Sequence, residues 1–345
     1  MLATNEILTP EDALRLNVLL AGEVLAVRID EGAATLYGLT PKGEARVPLH
    51  PVGRADRYYQ RVRELLGGHA LGSPGGYPVH LRRWTRMGQS SQKNLEPLLK
   101  LGEPEAVMAV AHAPTLTDEL ARRAWWASQH MAPIEVARTM LAHPAVRAGA
   151  MGRVLADFLV EHLPFVEDPI DAMHTVRTVL ATGLLAPETC AQLWAKGKRR
   201  PTYLIGFLEA LPDALPPEPA RAPPANLPDA PAAQLLARCC SPAGQSYLKA
   251  AELVLEKPAA HEAVYLLLDL LGRYFAAGRD APRALAGLPD WQAEAAALDA
   301  LSRLSNADAE PILTRTTAVG PLMRRHLEPL FAPIIGHLHT LKGTQ

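Results

Sequence analysis

The stretch Gly67–Gln89, GGHALGSPGGYPVHLRRWTRMGQ, divides the chain into a part that reads as α+β and a part that reads as helix. Its six glycines and two prolines free the backbone from ordinary φ limits and mark a loop. A strand-like Pro78-Val79-His80-Leu81 then hands over to Arg82, Arg83, Trp84 and Arg86, so the stretch predicts a loop, a strand and a cationic tip. It contains no complete phosphate-binding or nucleophile-elbow pattern.

Upstream, Thr9-Pro10-Glu11-Asp12 combines an N-cap, a proline at the first helical position and an acid three residues after the cap. This predicts a helix to about Leu20. Alternation then takes over, with Leu25, Val27, Ile29, then Thr35, Tyr37, Leu39, then Ala45, Val47, Leu49. Asp30-Glu31-Gly32 and Thr40-Pro41-Lys42-Gly43 separate the three runs, which predicts an antiparallel meander. Helical spacing returns over Asp56–Leu66, with Gly67-Gly68 as its stop, and Val79 with Leu81 would add a fourth strand.

Downstream of Leu95 the chain reads as many short helices opened by Pro104, Pro133, Pro144, Pro169, Pro187 and Pro201. Val154, Leu155, Phe158, Leu159 and Val264, Leu267, Leu268, Leu271, Phe275 keep helical spacing. Such a series suggests an α-solenoid or irregular HEAT-like array, although no fixed repeat period is visible. Residues 212–231 hold eight prolines in twenty residues and read as an extended linker or exposed loop. The expected fold is mainly α, with an α+β domain over residues 1–90, a helical array over 91–211, the proline-rich segment, and a C-terminal helical region over 232–345.

With 345 residues and 48% hydrophobic content the chain can bury a large core. Thirty-five basic and 36 acidic residues leave a net charge of -1, so no global field favours nucleic acid or an anionic membrane. Cys190, Cys239 and Cys240 have no metal-ligand spacing, which suggests a reducing compartment. The N-terminus lacks a basic leader and no apolar run reaches the roughly 18 residues of a membrane span, so a cytoplasmic protein without membrane insertion is expected.

The most site-like feature lies in residues 51–90, where Arg54, Arg57, Arg61, Arg63, Arg82, Arg83 and Arg86 face only Asp56 and Glu64 in sequence. Interleaved with Tyr58, Tyr59, Tyr77 and Trp84, these arginines could stack on and contact RNA. The ordinary alternative is a solvated helix face plus an arginine–tryptophan clasp onto the helical part, and the clasp is the reading preferred here. Trp125-Trp126 could form a partner anchor, since adjacent tryptophans on a helix cannot both point fully inward. The candidate interaction surface is therefore Arg57, Arg61, Arg82, Arg83, Trp84, Arg86, Trp125 and Trp126.

Other candidates read as structural. Gly72-Ser73-Pro74-Gly75-Gly76 lacks the Lys and Ser/Thr of a P-loop. Asp171-x-x-His174, near Glu161 and Glu167, lacks the second motif of a di-iron protein, and His261-Glu262 lacks the second histidine of a zincin. His337 and His339 do not share a helix face. Lys196-Gly197-Lys198-Arg199-Arg200 reads as a helix C-cap, and Cys239-Cys240 as buried small residues. No catalytic, cofactor or metal residue is expected.

Four stretches together resemble the DsrS-type proteins: RLNVLL (Arg15–Leu20), LTPKGEARVPL (Leu39–Leu49), LGSPGGYPVHLRRWTRMGQ (Leu71–Gln89) and LLKLGEPEAVMAVAHAPTLTDELARRAWWA (Leu98–Ala127). The resemblance covers roughly the first 210 residues. It implies a cytoplasmic accessory protein of the reverse dissimilatory sulfite reductase system of sulfur oxidation, with partners among the sulfur-oxidation proteins and no catalytic residue to carry over. Two alternatives stand beside it: an RNA- or nucleotide-binding regulator working through the arginine cluster, and a cysteine-based sulfur carrier or enzyme.

Overall fold

A computed structural model describes residues 8–72, 95–129 and 133–343. Among them the chain is mainly helical, with one small antiparallel sheet at its N-terminal end. It divides into two compact units, residues 1–159 and 160–345. No described helix is long and apolar enough to cross a membrane.

The first unit opens with α1 (Pro10–Leu20), where the Thr9 side chain accepts from the Asp12 amide as the sequence predicts. Strands β1 (Ala26–Asp30), β2 (Thr35–Thr40) and β3 (Gly43–Pro48) form the antiparallel meander in the order β1-β2-β3. Helix α2 (Ala55–Leu71) follows. It runs through the expected stop at Gly67-Gly68 and ends at Gly72, whose φ of 64° supplies the left-handed cap. Glycine alone does not end a helix whose inner face is packed, and here Tyr58, Tyr59, Val62 and Leu66 are buried against the sheet side of the core.

Register decides which residues of each strand share a face. Ile29 pairs with Leu36 and Leu36 with Val47, and these join Val27 in the core shared with α1 and α2. Tyr37 and Leu39 point to the opposite face beside Arg28 and Ala26. That face is covered as well, because β1 contacts α4 (Asp118–Ala127). Both faces of β1 are therefore buried, and the division expected near residue 90 falls inside the first unit.

Preceding α4 is α3 (Pro104–Ala111), and α5 (Pro133–Leu141), α6 (Pro144–Ala148) and α7 (Ala150–His162) follow it. The second unit holds α8 (Pro169–Ala181), α9 (Pro187–Gly197) and α10 (Thr202–Ala210). After a non-helical segment come α11 (Pro231–Cys240), α12 (Pro242–Glu256), α13 (His261–Tyr274), α14 (Ala281–Ala284), α15 (Gln292–Leu301), α16 (Glu310–Leu313) and α17 (Gly320–Lys342). The six prolines singled out as helix starts all sit at a helix entry; five begin a helix and Pro201 caps one. Within this unit α10 is buried from Thr202 through Leu208 and packs on α8, α9, α12 and α13.

The proline-rich segment is a loop, as composition predicts, yet its first half is tied down. Its Glu218 and Arg221 amides donate to the Pro242 and Cys240 carbonyls, Ser246 donates to the Pro216 carbonyl, and Leu215 is buried. Proline lacks an amide donor, so such a segment is held by its carbonyls and its few non-proline amides.

Candidate functional site

The described half of the arginine cluster lies on or beside α2. Arg54 pairs with Asp56 at 3.5 Å, Arg61 with Glu64 at 2.7 Å and Arg63 with Glu31 at 2.6 Å. Arg57 is exposed and has no carboxylate within ion-pair distance among the described residues. Tyr58 and Tyr59, expected as stacking rings, are instead buried core residues in edge-to-face contact at 5.5 Å. Helical spacing turns both toward the sheet, which is why neither ring is available to a base. Tyr77, Arg82, Arg83, Trp84 and Arg86 lie outside the described residues, as do Val79, Leu81 and most of the glycine loop.

The two tryptophans of α4 diverge. Trp125 makes an edge contact with Phe158 at 4.6 Å. Trp126 turns to the sheet, where the Arg28 guanidinium is sandwiched between its ring at 4.8 Å and the Tyr37 ring at 4.5 Å. Arg28 also donates to Glu44 Oε2 at 2.8 Å and to Gln129 Oε1, and the Trp126 indole donates to the same Glu44 oxygen at 3.3 Å. Tyr37 is shared from the other side by Arg46, its partner in register. An arginine–tryptophan clasp thus joins sheet to helix within the first unit, built from Arg28 and Trp126. Sequence reasoning missed Arg28 because a single arginine in a strand gives no sign of partners as far as 101 positions away.

A second polar centre was also missed. Asp12 is fully buried and accepts from the Tyr58 hydroxyl at 2.6 Å and the His50 amide at 3.0 Å, while the His50 ring lies 2.9 Å from its other oxygen. Burial alone would raise the Asp12 pKa, but the hydrogen bonds from Tyr58 and His50 outweigh it and hold the carboxyl below its ordinary value. Tyr58 is pushed in the opposite direction, by burial first and by its bond to Asp12 second. The group ties α1 to the β3–α2 connection and to α2. Its only sequence sign was Asp12 at the third helical position, which reads as a cap.

In the second unit Arg221 plays a similar part from the proline-rich loop. It donates to Glu294 Oε1 at 2.5 Å and to the Thr340 and Leu341 carbonyls at the end of α17, and it stacks on Trp291 at 4.3 Å. Arg238 stacks on Tyr274 at 3.9 Å and pairs with Asp213, and Tyr274 stacks on Tyr247 at 3.7 Å with rings 12° from parallel. Cys239 and Cys240 are buried, and burial pushes both thiols up. Cys190 is half-buried, and its thiol is raised by burial as well. The carrier alternative needs an accessible, acidified thiol, and none of the three has that character.

The histidine candidates serve in packing. His261 meets the Ala318 carbonyl at 2.8 Å, and His339 meets Glu252, which also pairs with Lys342. Arg200 of the basic run donates to the Val166 carbonyl and to the Tyr203 hydroxyl, an internal use beyond helix capping. No protein-family model, curated protein or solved structure matches this chain.

Proposed function

We propose that the protein is a non-catalytic accessory protein of dissimilatory sulfur oxidation that works in the cytoplasm by binding proteins of that machinery. The pathway comes from the resemblance to DsrS-type proteins. The observation that carries the binding role is the outer face of α1, where Leu14 and Val18, one turn apart, are 65% and 67% exposed while Asp12, Leu16 and Leu20 on the inner face are buried. Paired exposed apolar side chains on a well-anchored helix are what a partner protein covers. Helices packed on their second neighbours, α8 with α10 and α15 with α17, support the irregular solenoid as a scaffold for such surfaces, although the contact of α12 with α17 departs from strict stacking.

The test is retention of the purified chain on immobilised reverse dissimilatory sulfite reductase and its companion proteins. Wild type is expected to be retained, and the double substitution Leu14→Glu, Val18→Glu to pass through while melting within a few degrees of wild type. Failure of the wild-type chain to bind any of these proteins would remove the reading. The RNA-regulator alternative has less support from the described residues, since three of four arginines on or beside α2 are engaged in ion pairs and both tyrosines are buried.

A further inference from the structure

A groove of about 630 Å³ lies beside the last turn of α13 in the second unit, lined by Gly272, Arg273, Ala276, Arg279, Ser302 and Leu304. Two arginines face it, and among the described residues neither has a carboxylate within ion-pair distance. The acids around them hold closer partners, although the Arg279 charge is one of those that lower the Asp299 pKa, after its hydrogen bonds from Arg303 and the Asp280 amide. Asp269, also on the wall, accepts from the Asn306 amide at 2.7 Å, and Arg303 takes Asp299 at 2.8 Å and Asp280 at 3.6 Å. Arg273 itself makes only a 3.4 Å bond to the Asp269 carbonyl.

The walls are fixed by backbone contacts rather than by long side chains. The Leu304 carbonyl lies 2.0 Å from where a Cβ on Gly272 would stand, so only glycine permits this approach. Beside Arg279, Asp280 is held in the left-handed region at φ 60°, its amide bonded to Asp299 at 2.8 Å. A non-glycine residue kept there carries local strain, and such strain recurs where a neighbouring side chain must be aimed. A cation in the last turn complements the helix dipole, which explains Arg273; Arg279 lies outside the helix and needs another reason.

We propose that this groove binds a tetrahedral oxyanion, the phosphate group of a small phosphate monoester, between Arg273 and Arg279. Guanidinium groups recognise such oxygens through paired N–H donors, and the volume leaves room for an organic portion beyond the phosphate. This is a ligand site separate from the partner surface of α1, and it stands whether or not that surface binds a protein.

Calorimetric titration of the full chain at low salt, with AMP, adenosine and inorganic phosphate as probes, tests it. AMP is expected to bind and adenosine not to, with affinity falling as salt is added. Inorganic phosphate binding as tightly as AMP would make the free oxyanion the ligand of the same site; weaker phosphate binding would confirm a monoester. Arg273→Gln with Arg279→Gln is expected to weaken binding by roughly tenfold or more, while Arg315→Gln, an exposed arginine elsewhere, leaves it unchanged. Single Arg279→Gln serves if the double variant melts early. Absence of binding by wild type, or undiminished binding by the folded arginine variants, overturns the proposal.

Discussion

Each unit contains the same trio, an arginine stacked on a tryptophan and paired with a glutamate, and the two differ in what they hold. Arg28, Trp126 and Glu44 join a strand to a helix in the first unit. Arg221, Trp291 and Glu294 hold a loop without regular hydrogen bonding of its own against two helices of the second. The glutamates also differ, since the Glu44 side chain is 26% exposed and that of Glu294 only 8%. Removing one member of a buried pair costs most when the remaining charge is stranded away from water. The lesson is that the strength of such a trio lies in the solvation of the acid left behind, more than in the stacking that makes it conspicuous.

Arg221→Ala should therefore give the largest effect, a loss of about 3–5 kcal/mol from an uncompensated Glu294. Early protease cleavage within residues 211–230 should accompany it. Urea unfolding together with limited proteolysis checks this, and the additional change Glu294→Gln should restore part of the loss. Arg28→Ala should cost less, about 2–3 kcal/mol, because Glu44 keeps Arg46 and the Trp126 indole as partners and reaches water. A larger loss for Arg28 than for Arg221 would break the comparison.

The smallest expected effect, and the one that depends on pH, belongs to Asp12. Its folded-state pKa is depressed, so its contribution is fully present above the unfolded value of about 4 and is lost as pH falls through the folded value. Asp12→Asn should cost about 1–2 kcal/mol at pH 7, and the gap to wild type should close below about pH 4. Melting temperature against pH for the two chains measures it; a gap independent of pH would mean that the carboxylate charge contributes nothing.

What could be read in advance was local. Thr9 and Pro10 announce α1, the six prolines announce helix entries, and the two turns announce the meander, because caps and turns are decided within four residues. The facing of β2 was not legible, since Thr35, Tyr37 and Leu39 and their neighbours Leu36 and Gly38 can serve either side of a sheet covered on both. Arg28, Asp12 and Arg221 were passed over for a related reason: each acquires its role from partners 38 to 120 residues away. The clasp expected at the junction tip falls outside the described residues, while a separate one, of Arg28 and Trp126, forms inside the first unit.

The stacked pair Tyr247 and Tyr274 has one more consequence. Two phenol rings lying nearly parallel at 3.7 Å, with Phe275 edge-on and Arg238 over one face, place two identical chromophores in fixed mutual orientation inside the second unit. Their electronic transitions couple, so this part of the chain carries an optical signature in the near ultraviolet that exists only while α12 and α13 are in register. The unit reports its own integrity to light without a label.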